Sequence, residues 1–452
     1  MLYSNPIPYV ENAEEYFKAL SQLPWACWLD SGGMSRYDIL VAQPGMTLIT
    51  RGNNTEIADA TGTVTSTLDP FDLIREKIGR QIEGVPNIPF CGGALGYWGY
   101  DLARGLAKLP PRQNEEQLPE MAIGIYDWAL LIDHQEKEAR LVSRLQLPST
   151  IALLPKILDR LLQRTKKPIK SFSVAGPINS NFTLNEYSTA YKKIKDYLHA
   201  GDCYQVNLAQ CFTVEASGDA FEAYQSMRET TPAPYSAFLS FPDVQILSAS
   251  PERFLQVTDG KIETKPIKGT RPRGLDAQSD ELLKEDLRKN KKDQAENVMI
   301  VDLMRNDLSQ SCETGSVKVN RLFEIESFSN VHHLVSTITG KLATGKDSIA
   351  LLRDCFPGGS ITGAPKIRAM EIIEKLEPQK RGIYCGSIGY IGWDGNMDTS
   401  IVIRTLIYSN GKMHFSVGGG IVADSDVNDE YQETLDKAAG MLELLGKYGG
   451  KI

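Results

Sequence analysis

The feature that most narrows the fold is a set of tight-turn dipeptides, each lying between β-forming runs. Asp259-Gly260 joins "VQILSASPERFLQV" to "KIETKPI", Asp394-Gly395 joins "YCGSIGYIGW" to "TSIVIRTLIY", and Asn410-Gly411 joins that run to "KMHFSVGGG". Such dipeptides tolerate positive φ and turn the chain straight back on itself. Strands linked in this way pair antiparallel, whereas a doubly wound parallel sheet needs a helical crossover between strands. Earlier in the chain, "MAIGIYDWALLIDH" and "KEARLVSRL" read as two further β-runs around a polar turn. The glycines of "FCGGALGYWGYDLARGL" allow tight turns and close backbone approach. Helical signals come in separate blocks. Thr183 and Glu186 form a capping box, Tyr187, Tyr191, Ile194 and Leu198 share one face, and Gly201 is a natural stop. A second helix is predicted over "KKDQAENVMIVDLMRNDL". The fold class that follows is α+β, with antiparallel sheets.

A chain of 452 residues suits one large domain or two ordinary ones. The clearest break is at about 163–182, which is basic and then rich in Ser, Gly, Pro and Asn. It divides the chain into 1–170 and 171–452, two parts expected to share a β-sandwich core. A net charge of −8 argues against nucleic-acid binding, and apolar runs such as "WALLI" are far too short to cross a bilayer. The opening "MLYSNPIPYVENAEEYF" lacks a basic stretch followed by an apolar one, so no secretory signal is expected. Seven cysteines without a C-x-x-C pair, and five histidines without ligand spacing, predict reduced thiols in the cytoplasm and no zinc site.

Several residues are candidates for chemistry. Lys268 lies between strand-breaking Pro266 and Gly269, with Lys265, Arg271 and Arg273 close in sequence. Like charges and burial lower the pKa of an amine and make it a nucleophile; a solvated basic loop is the competing reading. Glu252, after a strand and a proline, could stay protonated in an apolar pocket and act as a general acid, or else pair with Arg253. On a helix, Glu430 and Glu433 share a face with Lys437 one turn on, and Glu296 could add a third carboxylate for Mg²⁺. An exposed face with a Glu–Lys pair fits the same spacing. "FPGGSITGAPKIRAMEIIEKLEP" reads as a glycine-rich loop feeding a helix that Ser360 or Thr362 could cap, and its N-terminus is an anion-site candidate. Gly418, Gly419 and Gly420 could form an anion nest, with Arg404 forking onto a carboxylate. The pair His332-His333 reads by default as structural, with contact to a substrate hydroxyl as the alternative. Taken together, these groups suit a small, oxygen-rich, doubly anionic substrate.

"DCYQVNLAQ", "SPERF", "PIKGTRPRG", "AENVMIVDLMRNDL", "HHLVST", "PGGSITGAPKIRAMEII", "YCGSIGYIGWDGNMDTSIVIRTL" and "GGGIVADSDVNDEYQETLDK" occur in that order from about 185 to 445. In this they resemble the chorismate-utilising enzymes, and "SRYDI" and "GGALGYWGYDL" resemble the family's N-terminal region. The resemblance implies antiparallel sheets packed face to face with flanking helices, as in the chorismate-binding fold of anthranilate synthase component I. Anthranilate synthases carry Ala at the position of Lys268. Isochorismate and salicylate synthases lack that lysine and place a general-base lysine at the position of Gln205. Gln205 together with Lys268 implies amination of chorismate at C4, for 4-aminobenzoate and folate synthesis. The alternatives are anthranilate formation and a non-catalytic homologue.

The resemblance further implies that Lys268 attacks C2 and that Glu252 protonates the departing C4 hydroxyl. It implies Mg²⁺ on Glu296 and Glu433 with Glu430 nearby. Arg404, Lys437 and the N–H groups of Gly418 to Gly420 would hold carboxylate oxygens, with Gln205, Thr270, His333, Thr362 and Tyr384 around the substrate. Pyruvate elimination is left to another enzyme. No G-x-C-x-G elbow surrounds Cys91 or Cys385, so ammonia is expected from a separate glutamine amidotransferase subunit. "SGGMSRYDI", with Ser35 and Arg36, stands where feedback-inhibited relatives carry L-L-E-S. It makes this stretch a candidate for a structural rather than an inhibitory tryptophan.

Overall fold

The computed structural model describes residues 2–107, 109–110, 112, 118–163, 170–328 and 331–451. Part of the expected break, 164–169, lies outside the described residues. Among the described residues, the strands form two antiparallel sheets of 12 strands each. The two sheets pack face to face with a core of alternating side chains between them: Cys27, Ile39, Leu131 and Leu239 from one, Leu95, Tyr97, Ile388 and Tyr390 from the other. Helices cover both outer faces. Glu14–Leu20, Ala220–Thr230 and Val427–Lys447 lie on the first sheet around Phe17, Trp28 and Phe221. Pro70–Ile78, Lys291–Ser309 and Ser348–Cys355 lie on the second around Phe71, Ile300 and Leu352.

Each half of the chain builds one contiguous half of each sheet. The halves join edge to edge where Ala26–Asp30 pairs with Tyr235–Ser240, and where Gly93–Trp98 pairs with Ser387–Gly392. The second seam needs a glycine: a Cβ on Gly93 would stand 2.3 Å from the Ile391 carbonyl.

The local signals mostly match the elements. Thr183 and Glu186 form the reciprocal capping box of helix Leu184–His199. At Asp259-Gly260 and Asn410-Gly411 all four residues take positive φ, as a two-residue hairpin turn requires. Three runs that read as single strands are each two. The chain leaves one sheet and enters the other at Asp127, at Pro251 and Glu252, and at 402–404. Each crossover carries a charged residue, Asp127, Glu252 or Arg404, yet the strands on either side are largely buried on both faces, so the side-chain pattern does not change across it. Two of the three carry residues singled out for chemistry, Glu252 and Arg404.

Candidate active site

Lys268 sits in the edge strand Ile267–Pro272 of the second sheet, at an irregularity where pairing with Val331–Lys341 shifts between Ile267 and Thr270. A bulge of this kind re-aims a side chain. Gly269, at φ 81°, makes it feasible: a Cβ there would come within 2.9 Å of the Asp293 carboxyl carbon. The ammonium reaches into a cavity of about 560 Å³ between the sheet edges and helices Lys291–Ser309 and Val427–Lys447. Its hydrogen-bond partner is the Ser360 carbonyl at 3.5 Å. Burial lowers the Lys268 pKa; Glu296 opposes this, Lys437 adds to it, and Glu252 and Glu433 oppose it more weakly. The expected like charges play no part. Lys265 pairs with Glu326, Arg271 with Asp286 and Asp293, and Arg273 with Asp280, so each charge is met by a carboxylate.

Glu252, 5% exposed at its crossover, faces the same cavity. Arg253 points the opposite way, to Asp398 and Glu263, so the alternative Glu252–Arg253 pair does not form. Burial pushes the Glu252 carboxyl up to about 7, against the Ser360 hydroxyl, the Lys268 charge and the Ile267 N–H. Ser360 thus lies beside both groups: its carbonyl takes Lys268, and its hydroxyl draws the Glu252 carboxyl pKa down.

Three further carboxylates share the cavity. Glu296, Glu430 and Glu433 all line it and feel one another electrostatically. Burial raises Glu296 and Glu430. It would raise Glu433 too, but Lys437 at 2.6 Å, aided by Lys268 and Lys292, holds that group below its usual value. The i,i+4 Glu–Lys pair is therefore present as well. Glu430, 3% exposed, accepts from Ser425 Oγ at 2.6 Å through one oxygen, while its other oxygen is buried with no hydrogen-bond partner. A Cβ on Gly419 would stand 3.1 Å from that oxygen and 3.6 Å from Glu433. An orphaned carboxylate oxygen, a second carboxylate and a cleared backbone in front of both fit a hard cation that completes its shell with water and substrate oxygens. Among the described residues, no three His, Cys, Asp or Glu side chains form a closed metal cluster by themselves.

The anion-binding groups are arranged differently from the sequence expectation. Gly418, Gly419 and Gly420 are not a nest. They lie extended in strand Lys412–Ile421, paired with Ala209, Leu208 and Asn207, without the alternating positive φ that a nest needs. Their use is clearance. Arg404, at φ 50°, lines the cavity with no anionic partner among the described residues, and burial alone lowers its pKa. A guanidinium in such a place has its fork free for an anionic group. Lys437 donates to the Gly418 carbonyl at 2.9 Å.

His333 and Tyr384 line the cavity, with Thr270 Oγ1 2.9 Å from His333 Nδ1. Burial, then Arg404 and His332, pull the His333 pKa down to about 4, so its ring is neutral near pH 7. Thr362 and Gln205 are fully buried and do not line the cavity. Thr362 donates to the Gly358 carbonyl at 3.0 Å, and Gln205 to Asn207 Oδ1 at 3.0 Å. Neither Ser360 nor Thr362 caps the following helix Lys366–Leu376, whose N-cap is Pro365 with no side-chain cap.

Asn207 and Lys292 line the cavity without having been singled out. Asn207 is two residues from Gln205 on one strand, hence on its face, and Lys292 is one helical turn before Glu296; period alone could have found both. The stretch 31–39 lines a separate cavity of about 700 Å³ with Tyr235, Arg253 and Tyr390. Ser35 there donates to the Pro234 carbonyl at 3.1 Å, and Arg36 pairs with Asp133 at 2.8 Å. Among the described residues no helix is long and apolar enough to cross a membrane.

Residues 25–443 match the family described as chorismate binding enzyme. The chain is 48% identical over 443 residues to aminodeoxychorismate synthase component 1 of Escherichia coli (strain K12), and 47% identical over 441 residues to that of Klebsiella aerogenes. In each case 96% of both chains is covered. It superposes on the crystal structure of anthranilate synthase component I from Streptococcus pneumoniae TIGR4 with a TM-score of 0.80 and 31% identity, covering 90% of this chain and 92% of that one.

Proposed function

This chain belongs to the chorismate-binding enzymes, on the aminodeoxychorismate synthase component 1 branch, and from that premise we propose that it aminates chorismate through an intermediate covalently attached to Lys268. The Lys268 lone pair bonds to C2, the ring double bonds shift, and the C4 hydroxyl leaves as water with a proton from Glu252. Ammonia then bonds to C4, the double bonds shift back, the C2–N bond to Lys268 breaks, and Glu252 takes the surplus proton. The product is 4-amino-4-deoxychorismate, in the context of folate synthesis. Splitting one hard displacement into two easier steps is what covalent catalysis offers.

The observation that carries this reading is that Lys268, Glu252 and Ser360 line one cavity together with Glu296, Glu430 and Glu433, with the Ser360 carbonyl 3.5 Å from Lys268 Nζ. Arg404 and Lys437 would hold substrate carboxylates, with Tyr384, Thr270 and the neutral His333 around the ring. Mg²⁺, when bound, would place positive charge against a substrate carboxylate, held by Glu296 and Glu433 with Glu430 beside them. Ammonia would come from a separate glutamine amidotransferase subunit. The seven buried free thiols support a reducing, cytoplasmic setting. The 700 Å³ cavity at residues 31–39 is our candidate for a structural tryptophan, checked by mass analysis of small molecules released on denaturation.

The test is mass spectrometry of protein quenched with chorismate in the absence of ammonia. An adduct on the 264–274 peptide, absent from Lys268→Ala, is the expected result; an unmodified peptide defeats the covalent route. With ammonium and Mg²⁺ present, directly fluorescent anthranilate would mark the rival reaction. The expected product yields 4-aminobenzoate only after a lyase is added.

A further inference from the structure

The loop that carries Ser360 is held from behind by a buried ion pair that the chemistry above does not use. Arg381 and Glu377 are 7% and 6% exposed. They meet in a two-pronged fork, Nε to Oε2 at 2.9 Å and Nη2 to Oε1 at 2.7 Å. The other hydrogen bonds of the two side chains go to main chain at or next to the cavity wall. Arg381 Nη1 donates to the Ile361 carbonyl at 2.8 Å and Nη2 to the Asn207 carbonyl at 3.1 Å, while Glu377 Oε1 accepts from the Ala209 N–H at 2.9 Å. The guanidinium lies 4.9 Å from the centroid of the Tyr100 ring.

These three contacts bracket the site. Ile361 follows Ser360, whose carbonyl takes Lys268 and also Asn207 Nδ2 at 3.3 Å. Asn207 and Ala209 pair with Gly420 and Gly418, either side of the glycine that clears space for Glu430. The carbonyl of Arg381 accepts from the N–H of cavity-lining Tyr384 at 3.2 Å.

Stability does not account for the pair. Two buried ions lose their hydration, and apolar residues of equal volume commonly hold a fold as well or better. A planar fork does what an apolar pair cannot: it fixes the direction of several carbonyls at once. We propose that Arg381 and Glu377 are positioning residues, which set the Ser360 loop against the Asn207 strand so that Lys268 and Glu252 address the substrate together. The inference rests on the covalent reading of the site.

Two variants test it. Arg381→Lys keeps the charge and loses the fork; Arg381→Met combined with Glu377→Gln removes both charges and leaves no unpaired ion in the core. The readouts are the rate of chorismate adduct formation without ammonia, and kcat and KM with ammonia. Misplacing reacting groups by a fraction of an ångström predicts an adduct rate and kcat roughly 10- to 100-fold lower in the paired variant, with KM for chorismate little changed and partial recovery in Arg381→Lys. A wild-type adduct rate in either folded variant overturns the proposal, as does a raised KM with unchanged kcat. Should the paired variant not fold, the same criteria apply to Arg381→Lys. Wild-type protein that forms no adduct counts against the covalent route alone, and the split between kcat and KM then decides the positioning role.

Discussion

A carboxyl group at Glu252 works as an acid only while it keeps its proton. Burial raises its pKa from 4.5 to about 7, so the proton is lost as pH rises through that value. We expect kcat/KM to fall on the alkaline side of about pH 7, and this limb to vanish in Glu252→Gln along with roughly 10²- to 10⁴-fold in rate. The same shift has a cost in stability. Below its unfolded value of 4.5 the group is protonated in both states and the penalty is absent. Between 4.5 and about 7 the unfolded chain ionises first, and the penalty grows to about 3 kcal/mol above the folded value. Glu252→Gln is therefore expected to raise the urea midpoint at pH 8 and to leave it nearly unchanged at pH 4; equal effects at both would contradict the buried-acid assignment. Gly419 is the second residue with a sharp consequence. Its φ is ordinary for any residue, so Gly419→Ala adds a methyl group beside Glu430 and Glu433 without backbone strain. Mg²⁺ affinity by calorimetry is expected to fall about tenfold or more, and an unchanged titration would remove these carboxylates as the cation site.

Among the elements, those whose pattern is local were legible. The capping box, the two-residue hairpins and the helices over Glu296 and Glu433 follow from spacing alone. The crossovers between sheets were not, because "MAIGIYDWALLIDH" is buried on both faces on either side of Asp127, and one charged residue does not by itself mark a change of sheet. There the Asp127 carboxylate accepts from the Gln146 N–H at 3.0 Å and the Leu147 N–H at 2.7 Å. Asp127→Ala removes two hydrogen bonds that tie the partly exposed turn at 146–147 to the crossover, and we expect about 1 kcal/mol loss of stability in urea denaturation. The positions of Glu252 and Arg404 at two other crossovers have a physical reason. A strand that changes sheets leaves a gap in its ladder, and at these two gaps the side chain faces the cavity instead of a neighbouring strand.

For the molecule as a whole, the two seams matter most. Neither half of the chain closes its sheets alone: separation would bare the edges Ala26–Asp30 and Tyr235–Ser240 in one sheet, and Gly93–Trp98 and Ser387–Gly392 in the other. The two halves should therefore unfold in one calorimetric transition, and two well-separated transitions would show that each has its own core. That Lys268, Glu252, Glu296, Glu430 and Glu433 line one cavity agrees with the motifs in which they stand, which the family resemblance and not spacing alone singles out. The antiparallel pairing and the helix caps were readable from the sequence, since they depend on neighbours a few residues away. Burial and facing belong to the fold. Lys437 and not Arg271 acts on Lys268, Glu252 turns its back on Arg253, and three glycines serve as clearance instead of a nest, because each outcome depends on which distant segments the two sheets bring together.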